Sequence, residues 1–188
     1  YRHPLATAKA FATLDRLTGG RVILGAGAGH PESAFTVLGV DFATRGAQVA
    51  EAIPVIRAAF AEEYPTVGGP GAEVGVGMGP TPVQDGGPPI WLGGSSKAAI
   101  RRAATLADGW LPQGPPPMGM STALEFIRTE REAAGLPAAF DIGATAGPVY
   151  LGTPDFEVES YTATGSAEQI AERYRKLTAK GIYQLQFG

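Results

Sequence analysis

The chain has 188 residues, a formal net charge of −3 at pH 7, two histidines and no cysteine. This composition excludes disulfides and thiolate metal sites and argues against a multi-histidine zinc centre, so we expect no metal. It shows neither the concentrated basic face of a nucleic-acid-binding protein nor an apolar run of about 18 residues that could span a membrane. Because no signal peptide is visible and the composition is typical of a high-GC bacterium, we expect a cytoplasmic bacterial protein that binds a small-molecule substrate.

Apolar spacing predicts that helices and buried strands alternate along the chain. Pro4 suits a first helical position, and an apolar stripe continues that helix to Leu17, before Gly19 ends it. Residues 22–24 and 90–92 are short runs that are apolar on both faces, which is typical of strands in a parallel sheet. The other predicted elements are a short helix at 33–38, a longer helix after 44, a helix around 99–107, a strand at 109–112, a helix at 123–134, a strand at 140–150, a helix that begins with the capping box of Ser166 and Gln169, and a last strand at 182–187.

The resulting order is a helix, four strand–helix pairs and a final strand. Such alternation predicts an α/β fold with a parallel sheet, and both a doubly wound sheet and a (β/α)8 barrel satisfy it. Residues 64–88 are dense in glycine and proline, so we expect an irregular insertion or weak hairpin there, within one domain that spans 1–188. In either fold, ligands bind at the carboxyl ends of the strands. The candidate loops are therefore 25–33, 93–97, 111–120, 150–165, the segment after 187 and residues 1–3.

The turn at residues 93–97 is a candidate anion site. It consists of Gly93, Gly94, Ser95, Ser96 and Lys97. Glycines allow the backbone to approach an anion closely, and the N–H groups and dipole of the following helix favour negative charge. Either serine could cap that helix, and Lys97 adds a mobile positive charge. An ordinary serine N-cap after a glycine turn explains the same residues.

The run Gly-Ala-Gly-Ala-Gly-His at residues 25–30 is the second candidate site. It departs from the G-x-G-x-x-G spacing of dinucleotide-binding loops because His30 occupies the third glycine position. The small residues Gly27, Ala28 and Gly29 leave room for a flat ring against the strand end, with His30 projecting into the pocket. An imidazole pKa near ~6.5 suits proton transfer at neutral pH. A histidine on a surface loop is the alternative interpretation.

Three further residues carry expectations about structure. Asp108 lies at the amino end of its predicted strand, so we expect a structural role for it. Trp110 fits either the interior of a barrel or its outer helix layer. Arg45 begins a predicted helix, where a positive charge is unfavourable, and we therefore expect it to pair with a nearby carboxylate.

Taken together, these segments resemble the luciferase-like monooxygenase superfamily, and within it the branch that uses the deazaflavin coenzyme F420. The resemblance covers essentially the whole chain. The matching residues are Arg2-His3-Pro4 through Ala8-Lys9, Leu14-Asp15-Arg16-Leu17, Gly19-Gly20-Arg21, the run 25–30, Phe35, Leu38-Gly39, Phe42 with Arg45, Pro80-Thr81-Pro82-Val83-Gln84, the run 88–96, Ala103-Ala104 and Asp108-Gly109-Trp110.

The resemblance implies a (β/α)8 TIM barrel, and on the family's register this chain holds strands four to eight. Such barrels need roughly 250 residues, so the chain is expected to be a partial barrel. We expect this partial barrel to be poorly stable and inactive by itself, because both sheet edges are open. The resemblance also implies a cofactor ring inside the barrel mouth, with residues 94–96 as the phosphate-binding loop. His30 matches a position beside the reactive face of the ring, where some relatives carry a proton-handling Glu. The full-length protein is expected to be a homodimer.

The function implied is an oxidoreductase that transfers a hydride between F420 and an unidentified small organic substrate, with His30 handling the accompanying proton. An FMN-dependent monooxygenase that activates oxygen is the alternative, because the same phosphate turn serves both cofactors. A non-catalytic flavin-binding barrel and a doubly wound nucleotide-binding protein also fit the pattern of strands and loops. The chain departs from the family at Ala34, where relatives often carry an acidic residue, and in the glycine-rich stretch 64–79.

Overall fold

The computed structural model describes residues 2–66 and 77–187 of the chain. Its helices are α1 (Pro4–Thr18), α2 (Glu32–Val37), α3 (Arg45–Ala61), α4 (Lys97–Leu106), α5 (Met120–Ala133) and α6 (Ala167–Thr178). Its strands are β1 (Leu24–Ala26), β2 (Ile90–Gly93), β3 (Gly109–Leu111), β4 (Asp141–Ala146), β5 (Val149–Leu151), β6 (Ala163–Gly165) and β7 (Gln184–Phe187). Much of the expected insertion, at 67–76, lies outside the described residues, as does Tyr1. None of the described helices combines the length and apolar character that a membrane crossing requires.

Five of the strands form one parallel sheet in the order β1-β2-β3-β4-β7. Each strand joins the sheet on the same side as the one before it, and the order never reverses. A doubly wound sheet reverses its order at a switch point, whereas a (β/α)8 barrel adds strands in one direction. The prediction of a partial barrel is therefore confirmed, and the doubly wound alternative is wrong.

The two faces of this sheet carry different side chains. On the outer face, Leu92 of β2, Trp110 of β3 and Ile142 of β4 lie side by side in register and pack in the core beneath the helices. There α1 packs against α3, and α4 packs against α5. The inner face is lined largely by glycines and polar residues, which leaves room above the sheet.

Trp91 is the large side chain of that inner face. It pairs in register with Gly25 on one side and Gly109 on the other. A Cβ atom added at Gly109 would lie 2.6 Å from its indole Nε1, and one added at Gly143 would lie 2.9 Å from its ring. The indole therefore lies across β3 and β4, and the glycines at these positions make the space that it fills.

A buried carboxylate ties α1 to the segment that precedes β2. Asp15 is 0% exposed, and its Oδ2 accepts hydrogen bonds from the backbone N–H groups of Val83 (2.8 Å) and Gln84 (2.9 Å). The side-chain amide of Gln84 donates to Oδ1 at 2.7 Å and also to the carbonyl of Val22. Burial by itself raises the pKa of Asp15, but the hydrogen bonds from Gln84 and Val83 outweigh it and hold the pKa below its usual value.

Asp108 is structural, as expected. It lies between β2 and β3 at their amino ends, where its carboxylate accepts from the backbone N–H of Ile90 at 2.8 Å and pairs with Arg57 of α3 at 3.0 Å. The carboxylate thus connects the sheet to the outer helix layer, away from the carboxyl ends of the strands.

Three predicted strands were misplaced, and the last of them, β7, begins at Gln184 rather than at 182. β1 occupies 24–26 rather than 22–24, because pairing with Ile90–Leu92 of β2, not apolar character, sets its limits. The predicted strand at 140–150 is two strands, which Gly147 and Pro148 separate; proline has no N–H with which to continue a ladder. The second piece, β5, pairs in parallel with β6, which the sequence did not predict, in a separate two-stranded sheet.

Candidate functional site

A cavity of about 1130 Å³ opens where β1, β2 and β3 end. Eight of the nine predicted cofactor-binding residues line it, and they are Gly27, Ala28, Gly29, His30, Gly93, Gly94, Ser95 and Ser96. The loops after β1 and β2 therefore face one common space. His30 is exposed, and both it and the serine turn line this cavity.

The floor of the cavity is bare backbone at β1. Cβ atoms added at Gly25 and Gly27 would meet no other atom within 4 Å, so the space above them is open. Trp91 and Leu111 line the cavity beside these glycines. An open backbone floor beside an indole and an aliphatic side chain fits a flat ring, which gains contact area by lying close to the main chain.

The serine turn begins α4. Ser96 is the N-cap, and its Oγ accepts a hydrogen bond from the N–H of Ala99 at 3.2 Å. Ser95 donates its hydroxyl to the carbonyl of Gln113 or Gly114, at 3.3 and 3.2 Å, in the loop after β3. Ser96 therefore caps the helix and Ser95 bonds to the loop after β3, whereas the sequence left open which serine is the cap. Since Ser96 and Ala99 both line the cavity, the first turn of α4 faces it, and so does the positive end of the helix dipole.

Lys97 lies apart from this cavity. It is the first residue of α4, and its Nζ lies over the ring of Phe126 in α5, 5.3 Å from the ring centroid. Lys97 lies on the side of α4 that faces α5, and its side chain extends toward α5. Of the nine predicted cofactor-binding residues, Lys97 is thus the one that does not line the cavity.

Two arginines supply positive charge instead. Arg45 and Arg102 both line the cavity, and neither pairs with a carboxylate among the described residues. The expected carboxylate partner of Arg45 was wrong: its guanidinium lies 3.7 Å from the ring centroid of Phe42 and donates to the Phe42 carbonyl at 2.7 Å. Burial, and then the charge of Arg45, lower the pKa of Arg102.

Sequence reasoning missed Arg102. It lies four residues after Ala98, so both occupy one face of α4, and that face lines the cavity. A Cβ added at Gly46 would lie 2.5 Å from Nη2 of Arg102, so the start of α3 is close to this guanidinium. Two cations and two helix starts thus converge on the cavity, and no carboxylate is among the described residues that line it. Such an arrangement favours an anionic ligand.

Two glutamines were also missed. Gln113 follows β3, and Gln186 lies on β7 with its side chain at an inner-face position; both line the cavity. Alternation in Gln-Leu-Gln-Phe at 184–187 is the pattern that could have indicated Gln186, because one set of alternate residues faces inward. No such pattern surrounds Gln113. A carboxamide both donates and accepts hydrogen bonds, which suits the polar edge of a ring.

Two mycobacterial proteins are similar to this chain in sequence. The chain is 30% identical over 185 residues, 96% of its length, to the phthiodiolone/phenolphthiodiolone dimycocerosates ketoreductase of Mycobacterium kansasii, of which it covers 48%. It is 35% identical over 123 residues to a putative coenzyme F420-dependent oxidoreductase of Mycobacterium tuberculosis, covering 59% of this chain and 35% of that protein. The chain spans about half the length of the curated relatives it matches.

A solved structure shares the fold. An F420-dependent secondary alcohol dehydrogenase, determined with an F420–acetone adduct, matches with a TM-score of 0.75 and 18% sequence identity, over 98% of this chain and 69% of that one. At this identity the match speaks for the fold alone. The family model of luciferase-like monooxygenases matches residues 1–162. On that match, together with the one-directional sheet and the cavity at its carboxyl edge, the chain belongs to the luciferase-like monooxygenase family.

Proposed function

We propose that the protein containing this chain is an oxidoreductase that transfers a hydride between coenzyme F420 and a small organic substrate. The observation that carries the proposal is that His30 and the turn at 93–96 open onto one cavity. The imidazole of His30 would give or take a proton, and the first turn of α4 with Arg45 and Arg102 would offer N–H groups and positive charge to an anion. A cofactor that has a redox-active ring and a phosphate-bearing tail would fit such a cavity, with the ring near His30 and the phosphate at the turn at 93–96.

The residues present fit such a cofactor. The open floor at Gly25 and Gly27 would take the ring, and the start of α4 with Arg102 would take the phosphate. The bound deazaflavin supplies the hydride chemistry, for which no protein side chain substitutes. His30 would hold the accompanying proton on its imidazole, and would pass it to the substrate oxygen in reduction or accept it in oxidation. Trp91 and Leu111 would exclude water from the wall of the cavity.

The named relatives support this cofactor and suggest the substrate class. The Mycobacterium tuberculosis relative is described as F420-dependent, and the Mycobacterium kansasii relative, aligned with nearly the whole chain, is a ketoreductase. We therefore propose that the substrate pair is a carbonyl compound and the corresponding alcohol. Reduction of a carbonyl needs one hydride, which the bound deazaflavin would supply, and one proton, which His30 would supply.

The test is a titration of the protein, as its gene encodes it, with F420 and with FMN. We expect F420 to bind in the micromolar range or tighter, and reduced F420 to be oxidised when a ketone is added. Micromolar binding of FMN with no binding of F420 would reject the proposal. Riboflavin serves as a control for ring stacking without phosphate.

An FMN-dependent monooxygenase is the second candidate, because the matching family model is named for luciferase-like monooxygenases and a helix start would bind the phosphate of either cofactor. Oxygen consumption on addition of reduced FMN and a substrate would favour it over the first candidate. A protein that binds a cofactor but turns over neither carbonyl compounds nor oxygen would be the non-catalytic barrel.

A further inference from the structure

The serine turn is held from the side opposite the cavity by Trp110. This residue is 0% exposed and packs in the core between the sheet and the helices. Its indole Nε1 donates a hydrogen bond to the carbonyl oxygen of Gly94 at 2.8 Å. Trp110 is absent from the cavity lining, whereas Gly94 and Ser95 are part of it. The hydrogen bond of the indole thus reaches the cavity lining at the backbone of the turn.

The hydrogen bond from Trp110 fixes the orientation of the peptide bond between Gly94 and Ser95. The bond is trans, because the cis bonds among the described residues lie elsewhere. In a planar trans peptide the C=O and the N–H point in opposite directions. When Trp110 holds the Gly94 carbonyl toward the outer layer, the Ser95 N–H must point the other way, which is the side of the cavity.

The turn has little freedom to reorient otherwise. Gly94 has φ +107°, a conformation that other residues rarely adopt, and a Cβ there would lie 2.8 Å from the Cβ of Ala99. Ser95 is tied to the loop after β3 through its hydroxyl. What remains for Trp110 to set is the rotation of the single peptide plane between them.

We infer that Trp110 is a positioning residue of the cofactor site, which aims the Ser95 N–H at the phosphate by holding the Gly94 carbonyl. This inference rests on the proposed function, because it takes the anion in the cavity to be the cofactor phosphate. It distinguishes Trp110 from an ordinary core residue. A core residue supports binding of every ligand alike, whereas Trp110 affects only the ligands that carry the phosphate.

The experiment compares Trp110→Phe with wild type for F420 and for FO, the deazaflavin that lacks the phosphate-bearing tail. We expect the Kd for F420 to rise about tenfold, the scale of one weakened charge-assisted hydrogen bond. The Kd for FO and the kcat at saturating F420 should stay within about twofold of wild type. Ile142→Val is the matched control, since it trims the neighbouring outer-face side chain without touching the turn.

Equal losses of affinity for F420 and FO would overturn the inference, as would no loss for either. If Trp110→Phe does not fold, Gly94→Ala displaces the turn against Ala99 and must give the same phosphate-specific loss. A wild-type protein that binds neither F420 nor FMN would instead refute the proposed function. Inorganic phosphate then serves as the probe. It should shift the amide resonance of Ser95, and in Trp110→Phe the same shift should require an about tenfold higher phosphate concentration. A variant that responds like wild type would overturn the inference.

Discussion

Replacing Asp15 by asparagine removes one negative charge from a fully buried position with almost no change in side-chain shape. Three donors point at this carboxylate: the N–H groups of Val83 and Gln84 and the side-chain amide of Gln84. Gln84 cannot simply rotate its amide to suit the new NH2 group, because its Nε2 also donates to the carbonyl of Val22. At least one pair of donors is then left facing each other.

The magnitude follows from those contacts. Hydrogen bonds to a charged group contribute about 1.5–3 kcal/mol each, and neutral ones contribute about 0.5–1.5. Losing about 1 kcal/mol at each of three bonds predicts that Asp15→Asn lowers the free energy of unfolding by about 3 kcal/mol. Urea unfolding followed by circular dichroism measures this, provided that the slope with urea is unchanged. Asp85→Asn is the control: Asp85 is exposed, and we expect an effect within about 0.5 kcal/mol.

The same contacts predict the pH dependence. The pKa of Asp15 is lowered in the folded protein, so the folded state binds this proton less readily than the unfolded chain. The stabilisation by the carboxylate is therefore complete above the unfolded pKa, about 4, and is lost as the pH falls through the lower folded value. The difference between wild type and Asp15→Asn should be full at pH 7 and shrink below about pH 4. A difference that is the same at pH 3 and pH 7, or below about 0.5 kcal/mol at pH 7, would refute the reasoning.

Three predictions concern the cavity. Arg102→Gln should raise the Kd for F420 about tenfold and leave that for FO unchanged, whereas Arg101→Gln, whose arginine pairs with Glu130, should change neither. Gly27→Val fills open space, so it should weaken binding of F420 and FO alike in titrations while changing the unfolding free energy by less than about 0.5 kcal/mol. His30→Gln should lower kcat by about 10²–10⁴ with F420 affinity unchanged, and a normal kcat would exclude a proton-transfer role.

The order of helices and strands followed from the sequence because each signal is local. The capping box at Ser166 and Gln169 forms with both of its hydrogen bonds, and Pro4 begins α1 as its fixed φ favours. Strand limits were less predictable, since β1 is defined by its partner β2 rather than by its own side chains. β6 has three residues, Ala-Thr-Gly, and no apolar alternation that would indicate a strand.

The candidate site was likewise predictable only in part. Its loops were predictable, because parallel strands bring their carboxyl ends to one edge, where ligands bind in such folds. The side chains that supply charge were not. Nothing local distinguishes Arg102, which faces the cavity, from Arg101, which faces α5 and pairs with Glu130. Which of two adjacent arginines turns inward depends on the rotation of α4 about its axis, and the core residues Ile100, Ala103 and Ala104 set that rotation.

Because core residues set the rotation of α4, they also decide which side chains line the candidate site. Trp110 and Ile100 are both completely buried and neither lines the cavity, yet one holds the turn that begins α4 and the other fixes the face that α4 presents. Both Arg102 and Lys97 belong to α4, but the planar guanidinium loses less side-chain entropy for each hydrogen bond that it forms than a lysine ammonium does. The proposed anion site, built from a helix start and Arg102, would therefore be better preorganised than one that relies on Lys97. The substitutions that weaken phosphate binding should accordingly include buried apolar positions behind the turn as well as the polar residues that line it.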